Sequence, residues 1–499
     1  MMDSSDDDET QLLSAGDPDM EDSLPDKNSN KKYGMLLFLV FLQCLSRGSD
    51  TLIFPFYPEV AKVKGVTMAY IGIVYAAYDF ARFISAPFFG TILTRWPPKS
   101  MCMVGTLISG ISPIFFGYVG IISSGWCFLA LCTILRVFAG VGSAMVTISS
   151  TSILLKASGF QSTNVIAIVE VGNGMSFAFG TALGGILYEF VGYVTTFWIS
   201  GGALVISTLL VAVFIPAVVE EEKKSQQGFF QLLTIPGCVL LCLTYVLARM
   251  QATCRNIGLT GLYIDELGSN PAILGLLCAV WSAVYIASCA VATRLLNKFP
   301  QNNYRALVIS WILSGATVLL ICPSPLLDFI FHGKKYFWLT TIDMVFVYMP
   351  LSVTYITPFQ AALNLAEVNG YKKDNLHTYG MVTGLVNGAL SLGSTIGPVM
   401  SGVIIEESGF GWTTTYLALS NFIMALFIGC YAIYMRITGQ PTEVVKSQDN
   451  EEVPEEAVYD TEKVDNVREV NEKIIEKYLK HEDWTKVYLQ QPVSDSSTK

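Results

Sequence analysis

Ionisable side chains interrupt the long apolar runs of this 499-residue chain, and their types and spacing suggest what chemistry it can do. An ionised side chain at mid-bilayer costs about 2.5–3.5 kcal/mol on insertion scales, so each one within an apolar run is a functional candidate by default. Glu170 has no lysine or arginine within four residues and is followed by Val-Gly-Asn-Gly-Met. A lone carboxyl in that setting is suited to carry a proton or to hold an ammonium group; the plainer reading is a buried, protonated glutamate. Arg47 and Asp50 stand three apart, as do Asp79 and Arg82, so each pair can neutralise itself on one helix face or, alternatively, line a cavity and rearrange with substrate. Arg136 can serve as a tie between helices. Arg249 and Arg255 add positive charge in the seventh apolar run, and Asp343 is a further candidate whose direction the sequence leaves open. Should Arg47, Arg82 and Arg255 face a cavity unpaired, the ligand would be an organic anion or a zwitterion. Tyr75, Tyr285 and Tyr355 can box a cation by cation–π contact or simply pack in a core.

The elements that must position these groups are membrane helices. Hydrophobic residues make up 52% of the chain, charged ones 14%, and the mean hydropathy is +0.48, well above a soluble protein. Stretches long enough to cross about 30 Å of hydrocarbon occur at 33–58, 67–94, 101–122, 126–152, 162–188, 193–217, 229–254, 271–297, 305–328, 337–366, 379–404 and 413–436. The reading is an all-α membrane protein of twelve transmembrane helices in two pseudo-symmetric six-helix bundles. An acidic disordered tail covers 1–32, the N-terminal bundle 33–217, a polar linker 218–228, the C-terminal bundle 229–436 and a second tail 437–499. From Val464 to Leu479 the last tail shows the apolar spacing of a short amphipathic helix. Lysine and arginine concentrate at alternate span ends, which by the positive-inside rule places both termini in the cytosol. The net charge of −10 resides largely in the tails and says little about partners.

The two halves are related. Residues 180–193 recur 217 positions later, and Ile71-Gly72 with the Arg95-Trp96-Pro97 exit recurs as Leu274-Gly275 with Lys298-Phe299-Pro300, 203 positions later. An insertion at 322–335 would account for the different intervals. Gly180, Gly184 and Gly185, with Ser176, share a helix face, as do Gly393, Gly397 and Ser401 beside Pro398 and Gly402. Such stripes permit close, sliding helix contacts, or pack helices with no moving role. Two membrane-embedded halves with internal symmetry are how secondary transporters are built.

These glycine stripes in spans five and eleven resemble the antiporter-type motif of the major facilitator superfamily. Leu135-Arg136 followed by Gly140 and Gly142 is similar to that superfamily's motif with an intramembrane arginine, which implies that Arg136 tunes the protonation of a nearby carboxylate. In the loop after span two, Gly90, Ile92, Arg95 and Lys99 match, but Thr94 and Pro97 replace the usual Asp and Gly. Within the superfamily the chain resembles the vesicular amine transporter family, especially its polyamine branch, through Pro55-Phe-Tyr-Pro-Glu with Lys64-Gly65, Ser149 to Ala157, Leu187 to Gly192 and Tyr379 to Trp412. Glu170, ten residues before Gly180, matches a glutamate of that branch. Two carboxylates of the branch are absent, their positions falling near Ile257 and at Ala361.

The resemblance implies proton-coupled antiport of a small organic amine or polyamine into vesicles by a monomer, with Glu170 and Arg136 in proton coupling and Asp50 and Asp79 offering negative charge to an ammonium. The alternatives are transport of an organic anion or zwitterion by the same fold and, in another class, a non-transporting sensor or trafficking scaffold. Saturable flux in purified vesicles separates the two classes. Asp8, Leu12 and Leu13 form an acidic dileucine string, which points to a sorting adaptor and to a vesicular or endolysosomal membrane rather than the plasma membrane. Soluble-enzyme signatures such as a P-loop or H-E-x-x-H are lacking, and the three histidines are dispersed. No enzyme activity, cofactor, metal or nucleic acid is expected; the partners are substrate, protons and the bilayer.

Overall fold

The computed structural model describes residues 27–438 apart from 94, 159–160, 216–227, 269–270, 300–301, 323, 333 and 374. The sorting string at Asp8, Leu12 and Leu13, residues 218–227 of the linker, and the C-terminal tail beyond Thr438 lie outside the described residues. Among those described there is no strand. The membrane helices are α1 (Lys27–Thr51), α2 (Met68–Ile92), α3 (Pro98–Val119), α4 (Gly125–Ala157), α5 (162–191), α6 (193–214), α7 (Pro236–Gly261), α8 (Pro271–Lys298), α9 (Asn303–Ile321), α10 (Phe337–Val368), α11 (376–408) and α12 (410–437). Helix satisfies every backbone N–H and C=O within the segment, which hydrocarbon demands.

Helices α5 and α6 run on from one another through Gly192 (φ 78°, ψ 175°), and α11 and α12 through Gly409 (φ 79°, ψ 167°). Both glycines adopt a positive φ that a residue with a Cβ resists. They lie 217 residues apart, so the repeat seen in sequence extends to backbone conformation. Helices α1 and α2 carry Arg47, Asp50, Asp79 and Arg82; the other spans are apolar enough to cross a membrane by length and composition alone.

Several boundaries differ from the sequence expectation; span nine, expected to reach 328, ends at Ile321, and span seven, expected to end at 254, runs to Gly261. Residues 27–32, expected in the disordered tail, open α1. Span one ends at Thr51, and after a tight turn Tyr57–Val63 forms a short helix of its own with a proline in its first turn. Span seven starts at Pro236 rather than 229, because Phe229–Leu233 is a separate helix that ends before Ile235-Pro236.

Small residues set the packing inside each bundle. A Cβ on Gly142 would meet Ser109 Oγ at 2.7 Å and the Gly105 carbonyl at 2.8 Å, and one on Gly110 would meet the Gly201 carbonyl at 2.9 Å, so α3 nests closely against α4 and α6. Gly180 and Gly184 pack on Gly48 and Thr51 of α1 and on Leu52 just after it, while Gly393 and Gly397 pack on Val246, Met250 and Thr253 of α7. The expected glycine stripes therefore lie at the α1–α5 and α7–α11 contacts within each bundle. Gly185 only grazes Pro55, and Gly402 is exposed with nothing within 4 Å of its Cβ position, so neither belongs to a tight interface. Large apolar side chains such as Phe80, Ile84, Phe88, Ile134 and Leu276 point outward, as lipid-facing residues do.

Candidate functional site

A cavity of about 480 Å³ lies between the two bundles. It runs from Pro58, Gly72, Thr260 and Pro398, at the end away from the start of α1, to a floor formed by Arg47, Arg82, Glu170, Arg249 and Leu390. The end nearer the start of α1 is shut. There a Cβ on Gly90 of α2 would fall 2.6 Å from the Gly380 carbonyl of α11. Ser162 Oγ donates to Gln360 Oε1 at 2.5 Å, and Asn297 Nδ2 donates to Asn164 Oδ1 at 2.6 Å, both bonds joining opposite bundles.

The arginines and carboxylates sort into partnered and unpartnered groups. Asp50 pairs with Arg136 of α4, not with Arg47 on its own helix, which corrects the expected one-helix pair. Asp79 and Arg82 do pair, at 3.6 Å. Tyr78 lies between the two pairs, its ring 4.5 Å from the Arg136 guanidinium and 5.8 Å from that of Arg82. Arg47 lines the cavity with its Nε unpartnered, Arg249 Nε donates to Ser394 Oγ at 2.8 Å, and Arg255 lies 5.7 Å over the Tyr348 ring with Nε and one Nη unpartnered. None of these three makes an ion pair among the described residues.

Glu170 is the one carboxylate on the cavity wall, among the described residues, that no arginine pairs. Its Oε2 accepts from Tyr285 Oη at 3.0 Å and its Oε1 from Asn173 Nδ2 at 3.1 Å, and Arg47 and Arg249 are within electrostatic reach. Tyr285 makes edge-on contacts with Tyr348 and Tyr355, giving the C-terminal bundle an aromatic wall beside the carboxylate. Tyr75 lines the other side. Asp343 is 4% exposed and lies off the cavity wall, with one carboxylate oxygen unpartnered and Arg255 within electrostatic reach. Pro398 reaches the cavity, whereas Gly180, Gly184, Gly393 and Gly397 act behind it.

The two polar bonds that join the bundles at the cavity floor are related by the repeat. Tyr285 of α8 donates to Glu170 of α5, and Arg82 Nη2 of α2 donates to Asn387 Oδ1 of α11 at 3.5 Å. Glu170 and Asn387 lie 217 residues apart; Arg82 and Tyr285 lie 203 apart. Sequence reasoning passed over Asn387, Asn173 and Ser394 because uncharged residues give no alarm in a span. The two repeat intervals, applied to Glu170 and Arg82, would have pointed to Asn387 and Tyr285.

Among the described residues, twelve membrane helices in two repeat-related halves around a charged cavity define a polytopic membrane transporter, not an enzyme. A family model for the Major Facilitator Superfamily matches residues 39–371, and the chain belongs to that superfamily. It is 28% identical over 377 residues to a Mus musculus protein named MFS-type transporter SLC18B1, covering 75% of this chain and 81% of that one. Its identity to the Homo sapiens protein of the same name is 27%, over 76% and 81% of the two chains. With the chromaffin granule amine transporter of Rattus norvegicus it shares 23% over 71% of this chain and 64% of the relative.

Proposed function

We propose that this transporter exchanges a small organic amine against protons across a vesicular or endolysosomal membrane, with both termini in the cytosol. The observation that carries the reading is Glu170: a cavity-lining carboxyl held by two uncharged donors and faced by tyrosines, while the other two carboxylates on the wall are paired with arginines. A group so placed can hold an ammonium in one bundle arrangement and a proton in another. Because Tyr285 and Glu170 belong to different bundles, rocking makes and breaks their bond, which links occupancy of the carboxyl to movement. Arg136 pairs with Asp50, which commits that carboxylate to an ion pair and leaves Glu170 to the exchange. The names of the vesicular relatives agree with an amine cargo.

The test is uptake into proteoliposomes under an imposed pH gradient, with Glu170→Gln matched for incorporation. Loss of gradient-driven amine accumulation with retained equilibrative exchange is expected; undiminished accumulation refutes the role. A second reading, transport of an organic anion or zwitterion, is favoured by Arg47, Arg249 and Arg255, which line the cavity without a carboxylate partner.

A further inference from the structure

Arg47 and Arg249 stand 202 residues apart, the same interval that separates Thr51 from Thr253. Those threonines mark equivalent places in the two bundles. The Thr51 hydroxyl meets Gly180 and the Thr253 hydroxyl meets Gly397, glycines that are themselves 217 residues apart as the repeat requires. Each arginine precedes its threonine by four residues, about one helical turn, and therefore lies on the same face of its helix. The two guanidiniums thus enter the cavity as a symmetric pair, one from each bundle, and each feels the other's charge.

The surroundings leave this pair short of negative charge. Five arginines and three carboxylates line the cavity among the described residues, an excess of two positive charges. Asp79 and Glu170 both stand within electrostatic reach of Arg47 and Arg249, but Asp79 is paired with Arg82, as Asp50 is with Arg136, and Glu170 binds neither Arg47 nor Arg249 as an ion pair. Two like charges held in a confined site of low dielectric repel. A carboxylate accepting from both would offset that repulsion and satisfy the unpartnered Arg47 Nε. A purely cationic solute would add to it.

We infer that the transported solute carries a carboxylate held between Arg47 and Arg249. This rests on the amine reading for the opposite end of the solute, where Glu170 and the aromatic wall take the ammonium, so the cargo is a zwitterion. One clamp residue sits on each bundle, so the carboxylate bridges them only when the bundles approach, and binding itself favours closure around the solute.

The experiment compares labelled 1-aminobutane, 4-aminobutyrate and butyrate, which share a four-carbon frame, in proteoliposomes of the full chain with an imposed pH gradient. The expected result is accumulation of 4-aminobutyrate, with KM raised at least tenfold in Arg47→Gln and in Arg249→Gln. Transport of 1-aminobutane as good as that of 4-aminobutyrate, unaltered in both variants, overturns the inference and leaves the amine reading standing. Butyrate carried while neither amine is carried keeps the arginine clamp and removes the amine reading; transport of none of the three removes both. Should the glutamine variants fail to fold by gel filtration, Arg47→Lys and Arg249→Lys retain the charge but not the forked geometry. They are then expected to raise KM for 4-aminobutyrate at least threefold, and an unchanged KM overturns the inference.

Discussion

Gly90→Ala tests whether the α2–α11 contact is what shuts one end of the cavity. The added Cβ would stand 2.6 Å from the Gly380 carbonyl oxygen and 3.1 Å from Gly384 Cα, with backbone on both sides and no flexible side chain to yield. Carbon–oxygen contacts between helices settle near ~3.3–3.6 Å, so the two helices must part by roughly 0.7 Å or more. Overpacking of this kind costs about 1–3 kcal/mol. The strain falls on the shut state alone, because the contact joins opposite bundles, and it therefore shifts the equilibrium between states by about 5–150-fold. The assay is a pulsed distance measurement between spin labels at Lys99→Cys on α3 and Lys298→Cys on α8, in a background freed of native cysteines. A longer distance component should grow in Gly90→Ala, with little change in melting temperature. An unaltered distance distribution in a folded variant refutes the reasoning. Gly397→Ala is the control: its Cβ would collide with Thr253 within one bundle, so folded yield should fall without a shift in the distance distribution.

Breaking the buried Asp50–Arg136 pair by Asp50→Asn should cost about 3 kcal/mol, the low end for a buried pair because the Asp50 side chain is 16% exposed; the double variant with Arg136→Gln should recover most of it, measured by thermal unfolding in detergent. Equal melting temperatures for the single and double variants would contradict the pairing. Asn387→Leu removes the acceptor for Arg82 at the floor, and transport rates should fall several-fold while the fold persists; wild-type rates would deny that bond a part in the cycle. Leu12→Ala with Leu13→Ala should move the protein from acidic vesicles to the cell surface, read by fractionation, and an unchanged distribution would exclude the dileucine string as the address.

Much of the architecture was legible in the sequence because lipid leaves the backbone so few choices. Twelve apolar stretches could be read from hydrophobic length and two repeat intervals from direct comparison of the halves, while the positive φ at Gly192 and Gly409 emerged from the fold. The end of span one and the start of span seven slipped at Pro55, Pro58 and Pro236, where an apolar composition continues but the helix cannot. The glycine stripes were visible as stripes, but which helix each faced was not. A small residue records that something comes close without recording what, so the α2–α11 approach at Gly90 and Gly380 escaped notice.

For the candidate site, the sequence by itself determined which charges are present in the membrane and that Glu170 has no cation nearby along the helix. Only the tertiary structure decided which charges cancel. Arg47 and Asp50 were as well spaced for pairing as Asp79 and Arg82, yet α4 brings Arg136 to Asp50 and leaves Arg47 to the cavity. The physical reason is that spacing along a helix fixes which side chains are neighbours on its surface, while the partner a charge takes depends on what the packed helices bring within hydrogen-bond range. In a medium that penalises every unpaired charge, that choice separates structural ion pairs from the groups left to meet a ligand.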